Sequence, residues 1–125
     1  MDKTVIATNA APGAIGPYSQ GWVAGDMIFT SGQLGLVPAT GALPQGVEAQ
    51  ARQALDNLGA VLQAAGMDYA DVVKTTVFLA DISDFAAINA IYAEFFTGEA
   101  PARSCVAVKE LPKGVLCEIE AIALK

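Results

Sequence analysis

Apolar and polar positions alternate in short runs along most of this chain and shift to helical spacing in two stretches, and these changes set out its elements. Thr4 to Thr8 is short and β-branched, which predicts an edge strand, and the glycine- and proline-rich Asn9 to Pro17 predicts a loop closed by Tyr18. Tyr18 to Val23 and Met27 to Ser31 read as two strands about a tight Gly25-Asp26 turn, with Gly32 ending the second. Gln33 to Gly46 carries glycine and proline without helical period, so it reads as a surface loop of the kind that borders ligands. Val47 to Ala65 gives the clearest helix: Val47, Ala51, Ala54, Leu55, Leu58 and Leu62 form one stripe. Glu48, Gln50, Arg52, Gln53, Asp56, Asn57 and Gln63 form its polar side, and Gly66 stands at the stop. Val72 to Leu79 is apolar on both sides apart from Lys74 and two threonines, the pattern of a central strand. Asp81 and Asp84 are cap candidates for a second helix, Phe85 to Phe96, with Phe85, Ile88, Tyr92, Phe95 and Phe96 as its core stripe. Arg103 to Val108 and Leu116 to Leu124 alternate again about a Pro112-Lys113-Gly114 breaker and read as a closing hairpin.

That order predicts an α+β class, one mixed β-sheet with two helices packed on one face, in a single domain over residues 1–125. The other sheet face needs a cover. With 54% hydrophobic residues the chain is rich for its length, which points to a second subunit over that face. No apolar stretch approaches the roughly 20 residues of a membrane span, and the first residues lack the apolar core of a signal peptide, so the expectation is a cytoplasmic protein. A net charge of −6, with seven scattered cations, offers no footprint for nucleic acid.

The candidate chemistry is narrow because the chain has no histidine, the commonest general base and metal ligand. The two cysteines, Cys105 and Cys117, lack metal or redox spacing and read as buried free thiols, and no nucleotide-binding glycine pattern is present, so no metal and no cofactor are expected. Attention falls on the last two strands. Period two puts Arg103, Cys105 and Ala107 on one face of the first, and Leu116, Glu118, Glu120 and Ile122 on one face of the second. Burying an unpaired carboxylate is costly, so Glu118 or Glu120 must be solvated, partnered or functional. With Cys105 opposite Glu120, Arg103 would sit about 7 Å along the same face and frame a small ligand; a one-residue slip would send them to opposite faces. For an isolated Arg and Glu, surface charges on a solvated edge are the more ordinary reading.

Pro101-Ala-Arg-Ser-Cys-Val-Ala-Val108 and Leu111-Pro-Lys-Gly-Val-Leu-Cys-Glu-Ile-Glu-Ala121 resemble the signature of the Rid family (reactive intermediate deaminase, YjgF-type). Gly16-Pro-Tyr-Ser-Gln20, Phe29-Thr-Ser-Gly-Gln33 and Gln53-Ala-Leu-Asp-Asn-Leu58 match in order, so the likeness covers nearly the whole chain. The resemblance implies a chorismate-mutase-like fold, a homotrimer about a central barrel, and sites in the clefts between subunits. It implies hydrolysis of reactive 2-imino acids, such as 2-iminopropanoate and 2-iminobutanoate, to 2-oxo acids and ammonia. Arg103 would hold the substrate carboxylate, Gly32 and Cys105 would contact the carboxylate and imine end, Tyr18, Ser31 and Asn89 would line the pocket, and Glu120 would activate water. Tyr18 and Asn89 also read as structural hydrogen-bonders, Cys105 as a backbone contributor, and Glu118 as interchangeable with Glu120. The names endoribonuclease and translation inhibitor also occur in the family. RNA is disfavoured because −6 per chain is tripled in a trimer. A non-catalytic metabolite-binding or chaperone-like protein using the same cleft is the third reading.

Overall fold

The computed structural model describes residues 2–125, so the first residue of the expected domain span lies outside the described residues. Its elements run β1 (Lys3–Ile6), β2 (Gly21–Ala24), β3 (Met27–Thr30), β4 (Gln33–Leu34), α1 (Val47–Ala64), β5 (Val72–Leu79), α2 (Phe85–Phe95), β6 (Ala102–Ala107) and β7 (Cys117–Leu124). They form the mixed α+β architecture the pattern predicts: one seven-stranded sheet in the order β1-β2-β3-β7-β5-β6, with β4 pairing β7 below β3. Both helices pack on one face of it.

The helix–sheet core follows from period. On α1 the stripe Ala51, Ala54, Leu55, Leu58, Val61 and Leu62 is buried against Ile28 of β3 and Ile119, Ala121 and Ala123 of β7. Every second residue of β7 is buried, and β5 contributes Thr75, Val77 and Leu79 to the same side. Gly66 ends α1 at φ 79°, where its amide donates to the Gln63 carbonyl and that of Met67 donates to the Leu62 carbonyl, a left-handed cap that favours glycine.

Four expectations are corrected. Gln50 and Asn57 are buried rather than on a solvated helix face. Asn57 Nδ2 donates to the Leu34 and Leu36 carbonyls at 2.8 and 2.9 Å, while Gln50 Oε1 accepts from the Leu116 amide at 2.7 Å and its Nε2 donates to the Pro44 carbonyl at 3.0 Å. These amides satisfy backbone that would otherwise be stranded, and they tie two distant segments to one helix. Gln33 and Leu34, read as loop, form β4 because β7 extends past the end of β3 and offers them a partner. On α2, Ile91 is in the core and Phe85, at the helix start, is 40% exposed.

The last correction matters most for the site. β6 and β7 are not a hairpin: β6 pairs in parallel with β5 through the α2 crossover, and β5 lies between β6 and β7. The Val108 amide donates to the Leu79 carbonyl and the Ala80 amide to the Leu116 carbonyl, so both ends of the connecting loop straddle the end of β5. The opposite sheet face carries Val5, Trp22, Phe29, Val106 and Leu124, each at least 39% exposed. Among the described residues no helix covers that face.

Candidate functional site

Two clusters of the expected residues form, one on each face of the sheet. The first lies on the face away from the helices. Ser31 and Gly32 follow β3, and Glu118 and Glu120 point the same way from β7, alternating with buried Cys117, Ile119 and Ala121. With Tyr18, Ile15, Leu34 and Pro112 they line a cleft of about 420 Å³. Its rim is braced from below. The Ser31 amide donates to the Gln20 carbonyl at 2.9 Å, and the Ser31 hydroxyl donates to the Ser19 carbonyl. Gln20 is buried, accepting from the Thr8 amide at 2.7 Å and donating to the Thr8 and Pro12 carbonyls, which fixes the loop that carries Tyr18. The Asn57 and Gln50 bonds hold the two strand segments that bring Gly32 and Glu118 together.

Gly32 has a local reason. Any side chain there would run into the Glu118 carboxyl, so glycine is what lets that acid lie against the backbone of the cleft. Burial pushes the Glu118 carboxyl above the usual carboxylate range, and the neighbouring Glu120 carboxylate adds to the effect. Of the two acids, Glu118 is the one seated against Gly32 at the wall of the cleft. This favours Glu118 for the water-activating role that the sequence reading gives to Glu120.

The second cluster lies on the helix side, at the edge strand β6. Arg103 pairs in register with Thr75 of β5 and Cys105 with Val77. The Arg103 guanidinium stands 4.8 Å from the centre of the Tyr92 ring and 5.5 Å from that of Phe85, both on α2. Among the described residues it has no ion-pair or hydrogen-bonding partner, and Arg52 with Glu94 is the salt bridge found. Asn89 lies between Phe85 and Tyr92 on α2, with its Oδ1 buried and unpartnered. An unmet buried acceptor costs about 1–3 kcal/mol, so this atom is suited to a donor from outside the chain. Burial raises the Cys105 thiol above its ordinary value, outweighing the opposite pull of Arg103, so at neutral pH it is a protonated thiol and a poor nucleophile.

Arg103 and the two glutamates are thus not neighbours. β5 separates their strands, about 10 Å across two strand spacings, and they point to opposite faces. Tyr18, Ser31, Gly32, Glu118 and Glu120 come together; Asn89, Arg103 and Cys105 come together; the chain does not join the two sets. The cleft adds Ile15, Leu34 and Pro112, and the arginine side adds Phe85 and Tyr92, which the sequence presents only as loop and core residues. Among the described residues no three His, Cys, Asp or Glu gather to hold a metal ion, and no helix is long and apolar enough to cross a membrane.

A family model described as Endoribonuclease L-PSP matches residues 8–125. The 2-iminobutanoate/2-iminopropanoate deaminase of Escherichia coli (strain K12) is 57% identical over 128 residues, covering 100% of this chain and 99% of that protein. The crystal structure of the E. coli YjgF gene product superposes with a TM-score of 0.95 at 55% identity, covering 98% of each chain. That of E. coli TdcF with bound serine gives 0.95 at 50% identity, again with 98% of each covered.

Proposed function

The chain belongs to the endoribonuclease L-PSP (YjgF/Rid) family, and from that premise we propose that it is a hydrolytic deaminase converting small 2-imino acids to 2-oxo acids and ammonia. The observation that carries this reading is a guanidinium with unpaired donors on one side of the sheet and a raised-pKa carboxyl in a cleft on the other. Those are the two parts that a carboxylate-bearing imine and its attacking water require. Serine bound to E. coli TdcF, a small molecule with the same carboxylate, supports the ligand class.

Arg103 grips the substrate carboxylate through a planar fork that pairs both oxygens and does not deprotonate. Glu118, flanked by Glu120, takes a proton from water as the water oxygen bonds to the imine carbon. The resulting carbinolamine receives a proton on nitrogen, the carbon–nitrogen bond breaks, ammonia leaves, and the remaining hydroxyl loses its proton to give the carbonyl. Water adds and ammonia departs, with no redox change. A protonated imine is already a good electrophile, so orientation and one positioned base suffice. Tyr18, Ser31, Gly32, Asn89 and Cys105 supply walls and polar contacts. Cofactor and metal have no part in the scheme, and nucleic acid has none because of the acidic charge.

Because Arg103 and Glu118 face opposite ways, a complete site needs the arginine of one copy against the cleft of another. We therefore read the assembly as a homotrimer, closed through the uncovered apolar face, acting in the cytoplasm as one domain per chain. Light scattering is expected to give about three times the 12.8 kDa chain mass; a stable, active monomer would contradict the shared site. The function itself is tested by generating an imine from a short 2-amino acid in the presence of the protein. Faster release of 2-oxo acid than in buffer is the expected result, and a rate equal to buffer would leave only a binding protein.

A further inference from the structure

We propose that Phe85, with Tyr92, is a positioning residue for Arg103: the two rings hold the guanidinium by its flat face and leave its N–H edge free for a carboxylate. The proposal rests on the reading of Arg103 as the carboxylate-binding residue. A long, flexible cation at an edge strand would ordinarily be fixed by an acid, but an acid here would occupy the donors that a substrate needs. This chain fixes it by other means. Tyr92 is buried, and its hydroxyl is 2.7 Å from Oγ1 of Thr75, itself fully buried and the register partner of Arg103. The ring under the guanidinium is therefore tied to the same rung of the sheet from which Arg103 projects. Phe85 lies two helical turns away on the same face of α2 and supplies the second ring, at 5.5 Å. It is 40% exposed in the single chain, so the ring is open on the side away from the core. Attraction between a cation and a ring acts through the ring face, so where the guanidinium lies flat on the ring it is held without using its in-plane hydrogen-bond donors.

The test uses binding of 2-oxobutanoate by calorimetry, steady-state kinetics and melting temperature on the whole protein. Phe85→Leu keeps apolar bulk but removes the ring. It is expected to raise Kd for 2-oxobutanoate and KM for the imine together by about three- to tenfold, with kcat and melting temperature nearly unchanged, and Phe85→Tyr should restore both. In an Arg103→Ala background Phe85→Leu should add nothing, because its effect passes through the guanidinium. Parent-like Kd and KM in Phe85→Leu, or an equal loss in the Arg103→Ala background, would overturn the proposal while leaving the deaminase reading in place. Parent-like binding in Arg103→Ala itself would overturn both.

Discussion

Arg103→Ala is expected to lower kcat/KM for the imine of a short 2-amino acid by about 10²-fold or more while the protein stays folded and assembled. Each charge-assisted hydrogen bond to the carboxylate is worth about 1.5–3 kcal/mol, and a two-point grip has two of them. Arg103→Lys keeps the charge but not the planar fork, so its loss should be smaller, about tenfold. The folded chain gives an independent reason to expect little change in melting temperature: the guanidinium has no acid partner among the described residues, so removing it strands no buried carboxylate. A variant that melts early but turns over normally per folded site would make Arg103 a structural residue. Measuring kcat/KM beside melting temperature separates the two.

Glu118→Gln is expected to reduce kcat by about 10²–10⁴-fold, the range of a lost general base, with 2-oxo acid affinity nearly unchanged. Its carboxyl is held above the ordinary range by burial first and by the Glu120 charge second. A base works only when deprotonated, so the acid limb of the parent's pH–rate profile should lie above that of an ordinary carboxylate. Glu120→Gln removes the like charge, so Glu118 should titrate lower and the acid limb should move to lower pH, with a much smaller loss at neutral pH. The reverse pattern, collapse in Glu120→Gln and full turnover in Glu118→Gln, would return the base to Glu120.

What was legible in the sequence divides along lines of range. α1, the β2–β3 hairpin and the centrality of β5 are written in local periodicity, because one buried stripe or one two-residue turn specifies each. The partners of β6 and β7 are not local. Two alternating runs about a Pro-Lys-Gly breaker look like a hairpin, and nothing in them reveals that β5 inserts between, since a strand's hydrogen bonds carry no side-chain signature. Gln50 and Asn57 read as a polar helix side for a similar reason: the Leu34 and Leu36 carbonyls that accept from Asn57 lie 23 and 21 residues away, and the Leu116 amide that donates to Gln50 lies 66 residues away, all invisible to helical spacing. The resemblance named a set of site residues, and period two gave Arg103, Cys105, Glu118 and Glu120 their places on alternate faces of their strands. It did not show that the faces are opposed, and the consequence of a site split between copies came only with the sheet order. Phe85 and Tyr92 carried no polar signal and read as core.

The shared site is tested most directly by mixing two disabled chains. Arg103→Ala and Glu118→Gln chains, differently tagged, are co-expressed, and trimers carrying both tags are isolated and assayed for 2-oxo acid release. Whichever chain is present twice, a mixed ring of three has one interface that joins an intact Arg103 to an intact Glu118, so about one third of parental turnover should return from two inactive parents. Mixed trimers as inactive as either parent would contradict a site shared between subunits.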